Sequence, residues 1–401
     1  MFTFDVDPKA LLRERTRQLV SLGIPASTVA DAEHRIDDMW GTGPTSWVPV
    51  WTQHAERAAR QGHLLLASLC WGAARFPVSA TPERRAAHEQ QLDWYLKATE
   101  RFPVRFQRKI VEVPDGRHGT TAVPLHLFRR RQAAGGRPRG VLLLSGGVDT
   151  WKMDLHRLAV SSALATGLLV AAADMPGTGE SAVPLTHDAD AVLGGVVEQL
   201  RVQYRRPVGF LGLSFGGHWA AKLALQGRVD AAVDIGGPTG VAVRGDDELL
   251  AMPHGMPGIV GNALGLDRQP DGRQAAELLA RFSLRDQDLL RSAGAAPLLA
   301  VNGADDQYVP LLDTTGLAHA PNTTVWVIRN ATHCAPERFL PLMAAAWGWL
   351  LARLTPSHRT HLSEKAARLP LRPFLMPPAE AAARALRVHD GTAPVGEAGR
   401  S

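Results

Sequence analysis

The stretch Val208-Gly-Phe-Leu-Gly-Leu-Ser214-Phe-Gly-Gly-His-Trp-Ala-Ala-Lys-Leu-Ala-Leu225 decides how the rest of the chain is read. It opens as a short apolar run, turns through Gly-x-Ser-x-Gly and ends in a small-residue pattern with helical spacing. A serine at the tip of so tight a strand-to-helix turn is held in a strained backbone conformation. Residues two before and two after it must be almost free of side chain, and Gly212 and Gly216 meet that need. The strand character of Pro207 to Leu213 and the helical character of Ala220 to Leu225 supply the context that makes this a nucleophile elbow. A helix starting near Phe215 aims free amides and its positive end at the serine, which favours an anionic tetrahedral intermediate there.

Outward from the elbow, short apolar runs recur at Val141 to Leu144, Leu168 to Ala173, Asp230 to Ile235, Pro297 to Val301 and Thr323 to Ile328. Helical patterns at Asp154 to Thr166 and Glu337 to Arg353 separate or follow them, so an α/β fold is expected: a doubly wound, mostly parallel sheet covered on both faces. Phe106 to Val113 and Thr120 to Phe128 flank Pro114-Asp-Gly-Arg117 and read as a β-hairpin, followed by a basic exposed loop over Arg129 to Arg139. Residues 1–104 read as helices: Lys9 to Leu22, Ser27 or Thr28 toward Trp40, Val50 to Gln61, His63 to Arg75, and Thr81-Pro82 to about Thr99. Within a core over 105–355 the alternation breaks at about 238–292, as a lid insertion would. The extension 356–401 is expected to pack back over His361 to Pro378 and to be disordered in its last dozen residues.

A serine hydroxyl needs a base, and the base an orienting acid, in the order Ser, acid, His for this architecture. The turn Val301-Asn-Gly-Ala-Asp-Asp-Gln-Tyr-Val-Pro310 supplies the acid, with Asp306 preferred and Asp305 or Asp234 as alternatives. His333, between the last strand and the last helix, is the expected base. His218 reads as a packed or pocket-edge residue and His319 as a helix end. The oxyanion donors are expected at the amide of Phe215 and in Ser145-Gly-Gly-Val-Asp149, at Gly147 or Val148. Asp149 is expected to cap the next helix, Lys152 to lie at the surface, and Asp174 to Ser181 to be a structural turn. Trp40, Trp47, Trp51, Trp71 and Trp94 should mostly fill helix interfaces. Trp47 or Trp51 could also line a substrate pocket, because the glycine-bearing loop near them could reach over the active face.

The 401 residues carry a formal charge of +5, but arginines and acids alternate along the helices, which reads as solvated faces and not as a nucleic-acid footprint. Cys70 and Cys334 have no metal or disulfide spacing, so a reducing compartment is expected. The acidic N-terminus has no apolar h-region, and the longest uncharged run, Leu158 to Ala173, is short for a membrane span. A cytoplasmic protein with a small-molecule substrate and no cofactor, metal, membrane or nucleic-acid partner is expected, a homodimer being left open.

Over about Phe106 to Leu354 these motifs, in this order, resemble the α/β-hydrolase superfamily. Ser145 to Asp149, Asp174 to Ser181, the Gly-Leu-Ser-Phe-Gly-Gly elbow and the helical N-terminal segment resemble a narrower group. It includes fermentation-respiration-switch-like esterases, 2,6-dihydroxypseudooxynicotine hydrolase and fungal pigment enzymes that shorten a polyketide. The resemblance implies an N-terminal part that helps build the cap, no metal, and carbonyl substrates, in some members cleaved at a carbon–carbon bond. Asn330-Ala-Thr-His333 departs from the pattern in lacking a glycine two before the histidine. The expectation is a cofactor-free serine hydrolase for an ester, thioester or activated ketone of a partly aromatic or polyketide-like molecule. Acyl transfer or cyclisation from the same acyl-enzyme, or ligand binding without turnover, are the alternatives.

Overall fold

The computed structural model describes residues 2–131, 137–240 and 245–390. Eight strands form one sheet: β1 (Val104–Pro114), β2 (Thr120–Arg130), β3 (Val141–Ser145), β4 (Leu169–Ala172), β5 (Val208–Leu213), β6 (Ala231–Ile235), β7 (Leu298–Gly303) and β8 (Thr323–Ile328), in the order β1-β2-β4-β3-β5-β6-β7-β8. The hairpin β1-β2 is antiparallel and joins β4 antiparallel, while every pairing from β4 to β8 is parallel. All residues of β3, β4, β6 and β7 are buried, because a side chain leaving either face of these strands meets a helix. Val141 and Leu143 join Asp190–Tyr204 and Phe215–Leu225 on one face. Leu142 and Leu144 join His156–Thr166 and Phe339–Leu354 on the other.

After β3 the chain steps outward to β4 and then back past β3 to β5. The carboxyl ends of β3 and β5 therefore flank a topological switch point, where ligand crevices form in open α/β sheets. Ser214 stands at that rim.

Helices Pro8–Leu22, Ala26–Arg35, Trp47–Arg60, Leu64–Arg75 and Pro82–Ala98 precede the sheet. Asp7 caps the first and Thr81 the last through side-chain acceptors. The second stops at Arg35 instead of running toward Trp40, because Asp38 closes a loop of its own. Its carbonyl takes the Trp47 amide at 2.8 Å, and its carboxylate takes Ser46 Oγ at 2.8 Å and the Trp40 amide at 3.1 Å.

The helix Asp190–Tyr204 has no counterpart in the sequence reading, since Gly194-Gly195 lies in its middle. The pair is a packing feature: a Cβ at Gly195 would come within 2.8 Å of Val113 Cβ on the hairpin. Helices Asp246–Leu250, Met256–Ala263 and Gly272–Ala280 follow β6. Beyond the last core helix, His358–Arg368 and Pro378–His389 lie on the body, with the Met376 amide bonded to Val327 O at 2.8 Å. The disorder expected for the last dozen residues and the middle of the basic loop, 132–136, fall outside the described residues. Among the described residues no helix is long and apolar enough to cross a membrane.

Candidate active site

Ser214 follows β5 with φ 53° and ψ −130°, a sparsely populated conformation that costs a non-glycine residue about 1–3 kcal/mol. The turn holds it there: the Ser214 amide donates to Ile235 O at 2.8 Å, and the Gly217 amide to Ser214 O at 2.7 Å. A Cβ at Gly212 would lie 2.0 Å from the Gly216 carbonyl oxygen, and one at Gly216 only 2.4 Å from that of Gly146. No other side chain fits at either place, which is the physical content of the Gly-x-Ser-x-Gly spacing.

His333 Nε2 lies 2.9 Å from Ser214 Oγ, and His333 Nδ1 lies 2.7 Å from Asp306 Oδ2. With Nδ1–H donating to the carboxylate, Nε2 is the nitrogen free to accept the serine proton. Asp306 is buried and fully engaged: its Oδ1 takes the amides of Tyr308 at 2.7 Å and Val309 at 3.0 Å, and its Oδ2 takes Asn302 Nδ2 at 2.7 Å. Burial works against its charge, but the imidazole and these donors outweigh it and hold the carboxyl below its usual range. Burial likewise opposes an imidazolium at His333, yet the Asp306 carboxylate prevails and raises its pKa well above 6.5.

Asn302 was not singled out in the sequence. Fully buried, it donates to Asp306, and its Oδ1 takes the amides of Gly303 at 2.8 Å and Cys334 at 3.2 Å, tying the acid loop to the residue after His333.

The other candidates are placed elsewhere. Asp305 pairs with Arg384 of the last helix. Asp234 is buried and accepts the Gly237 amide at 2.7 Å, and burial with the charge of Asp313 pushes its carboxyl up to about 7. His218 is fully buried among Phe215, Trp219 and Phe282, with Nδ1 2.8 Å from Pro238 O, and burial brings its pKa down to about 3. It packs behind the cavity wall.

A Cβ on Gly147 would stand 2.7 Å from Ser214 Cβ and 3.5 Å from the Phe215 amide nitrogen, so the backbone after β3 passes directly over the serine. Val148 continues it into the wall of a cavity of about 260 Å³ that reaches Ser214 and His333. Met252, Met256, Val260 and Leu279, from the segment after β6, form much of that wall, with Phe282 beside them and Tyr308 and Asp313 on the core side.

Three expectations change here. Trp47 and Trp51 do not line this cavity: both are fully buried in the N-terminal helical core, Trp47 donating to Ala73 O at 2.7 Å, because their helix turns them toward Phe76 and away from the sheet. Lys152 is buried, not superficial, its ammonium held between Asp174 and Glu180. Asp149 caps no helix; Arg15 draws its carboxylate to 2.9 Å, and the following helix starts at His156 without a side-chain cap.

With this geometry in view, the family model for "Esterase FrsA-like" proteins matches residues 44–324. The chain belongs to the FrsA-like esterase family. Esterase FrsA of Vibrio vulnificus strain YJ016 is 27% identical over 316 residues, 72% of this chain and 74% of the relative. Esterase FrsA of Salmonella typhi is 25% identical over 328 residues, 76% and 75% of the two chains. Among solved structures, AbyA5 covers 90% of this FrsA-like esterase and 98% of its own chain at a TM-score of 0.75 and 21% identity. The 2,6-dihydroxy-pseudo-oxynicotine hydrolase covers 84% and 95% at 0.66 and 23%. These structural likenesses establish the α/β-hydrolase fold, and the family match makes the protein an esterase of that type.

Proposed function

We propose that this FrsA-like esterase hydrolyses small, largely apolar esters through Ser214 as nucleophile, His333 as general base and acid, and Asp306 as the orienting carboxylate. The observation that carries the reading is the continuous row from Ser214 Oγ through His333 to Asp306, at 2.9 and 2.7 Å, opening onto a cavity that all three helices after β6 help to wall. Attack of Oγ on the ester carbonyl carbon passes the hydroxyl proton to His333 Nε2 and places negative charge on the carbonyl oxygen. The Phe215 amide, at the first position of its helix and without a helical acceptor, and the amide of Gly147 or Val148 receive that charge. Collapse breaks the bond to the leaving oxygen, to which His333 returns its proton. Water deprotonated by the same nitrogen then attacks the acyl-enzyme, and the protonated His333 restores the serine hydroxyl.

The lid wall supports an apolar acyl or alcohol group of moderate size, since methionines adapt to varied shapes and the cavity they line holds about 260 Å³. An alcohol or the substrate's own hydroxyl could replace water in the second half of the reaction, and product analysis with an added alcohol reads that choice directly. The reading is tested by labelling with a fluorophosphonate and by turnover of p-nitrophenyl esters. Both should be present in the native protein and lost in Ser214→Ala; a folded native protein that neither labels nor turns over any ester of the series would contradict it.

A further inference from the structure

The first helix, Pro8–Leu22, is remote from Ser214 in the chain, yet it sends side chains to three of the loops around the site, those after β3, β7 and β8. To the loop after β3 it offers Arg15 Nη2, 2.9 Å from Asp149 Oδ2, and Gln18 Nε2, 2.5 Å from Thr150 Oγ1. To the loop after β7 it offers Glu14, whose Oε1 accepts Tyr308 Oη at 3.1 Å, while the Arg15 guanidinium lies 5.6 Å from the Tyr308 ring centroid. Toward the His333 loop, the exposed Arg17 reaches Glu337 at 3.3 Å, and that carboxylate takes both the amide and the hydroxyl of Thr332. Glu14 and Arg15 are themselves joined at 2.8 Å. The pair therefore bridges Asp149, next to the candidate oxyanion residue Val148, to Tyr308.

Tyr308 is no bystander. Its amide binds Asp306 at 2.7 Å, and its ring meets the His333 ring edge-on, with centroids 5.3 Å apart at 84°. Arg15 is only 8% exposed. A buried guanidinium among carboxylates is a poor way to gain stability, because desolvation cancels most of the attraction and an apolar side chain of similar size would serve as well. What it supplies is position: one buried charge that draws Glu14 and Asp149 in to 2.8 and 2.9 Å. Errors of about 1 Å in such loops cost roughly a hundredfold in rate.

We propose that Glu14 and Arg15 are positioning residues for the reaction at Ser214, holding the oxyanion loop through Asp149 and the acid–base loop through Tyr308 in one register. This inference rests on the reading of Ser214 as nucleophile. The test is the pre-steady-state acylation of Arg15→Met, Arg15→Lys, Glu14→Gln and Arg13→Ala by a p-nitrophenyl ester, with Ser214→Ala alongside. Arg13 is the control, exposed on the same helix and 3.6 Å from Glu33.

Arg15→Met should acylate about ten- to a hundredfold more slowly with KM within about threefold of wild type. Arg15→Lys should recover part of the loss, Glu14→Gln should show a smaller loss of the same kind, and Arg13→Ala should match wild type. Should Arg15→Met not fold, the near-isosteric Glu14→Gln decides. A wild-type acylation constant in folded Arg15→Met, or in Glu14→Gln if that is the variant left, overturns the inference while Ser214→Ala stays inert. A Ser214→Ala protein that still turns over removes the reading beneath it instead.

Discussion

The rim of the sheet and the helices after β6, which we read as a lid, face the same cavity but are built by opposite means. At the rim, the polar atoms that the proposed chemistry needs are held by backbone and by buried hydrogen-bonding partners. Ser214 is set by a turn in which backbone fills the space around two glycines, and Asp306 by two amides and a buried Asn302. The cover presents Met252 from a loop and Met256, Val260 and Leu279 from short helices. The rim permits one geometry, while the lid can repack at little cost. Rate should therefore be sensitive at the rim and substrate preference at the lid.

The largest effect expected is that of Ser214→Ala, a loss of about a thousandfold or more in kcat with p-nitrophenyl esters, measured against a protein whose thermal unfolding is unchanged. Next comes the pH profile. His333 must be neutral to accept the serine proton, and Asp306 raises its pKa above the ordinary 6.5. Activity should thus be absent at low pH and rise through an ionisation above that value. Asp306→Asn removes the opposing charge and leaves burial to act, so the residual activity of that variant should show its acid limb at lower pH than wild type. An acid limb that stays put would assign the ionisation to another group. A smaller loss, roughly ten- to a hundredfold in kcat with KM little changed, is expected for Asn302→Leu, which frees the acid loop from the residue after His333.

What could be read in the sequence follows the same division. The elbow was legible because its steric demand excludes all but glycine at Gly212 and Gly216, and the strands were legible because burial on both faces leaves unbroken apolar runs. Asp306 and His333 could be picked out as the acid and imidazole in the loops after two late strands. Asn302 carries no such mark: an asparagine at a strand end resembles any turn residue until its partners are seen. Lys152 and Arg15 were hidden for a different reason. Charge along a chain points to solvent by default, and only the fold shows that Asp174 and Glu180, or Asp149 and Glu14, surround them. Trp47 and Trp51 show the reverse error, since nearness to a glycine-bearing loop says nothing about which way a helix faces.

On the lid side, Met256→Trp should fill part of the cavity and change the ranking of esters more than the rate for the smallest one. About a tenfold loss in kcat/KM for hexanoate relative to acetate is expected, read from a chain-length series. An equal loss across the series would mean that the side chain acts on the rim.

The smallest effect concerns what holds the lid. Residues before the first helix run along Met256–Ala263: a Cβ at Gly255 would come 2.6 Å from the Phe4 ring, and one at Gly258 2.2 Å from it, so the ring lies against bare backbone. Trp40 completes the contact, its ring edge-on to Phe4 at 4.9 Å and its Nε1 donating to Phe4 O at 2.7 Å. Phe4→Ala leaves Arg15 and the rim untouched and removes only this clasp. KM for butyrate and hexanoate esters should rise about two- to fivefold with kcat nearly constant, because the loss falls on binding and not on the reacting atoms. Amides of residues 256–263 should exchange hydrogen faster while those of β5 do not. If kcat fell and KM held, the N-terminal segment would act on the rim alone, and the division between a rigid edge and an adaptable cover would have to be redrawn around Phe4.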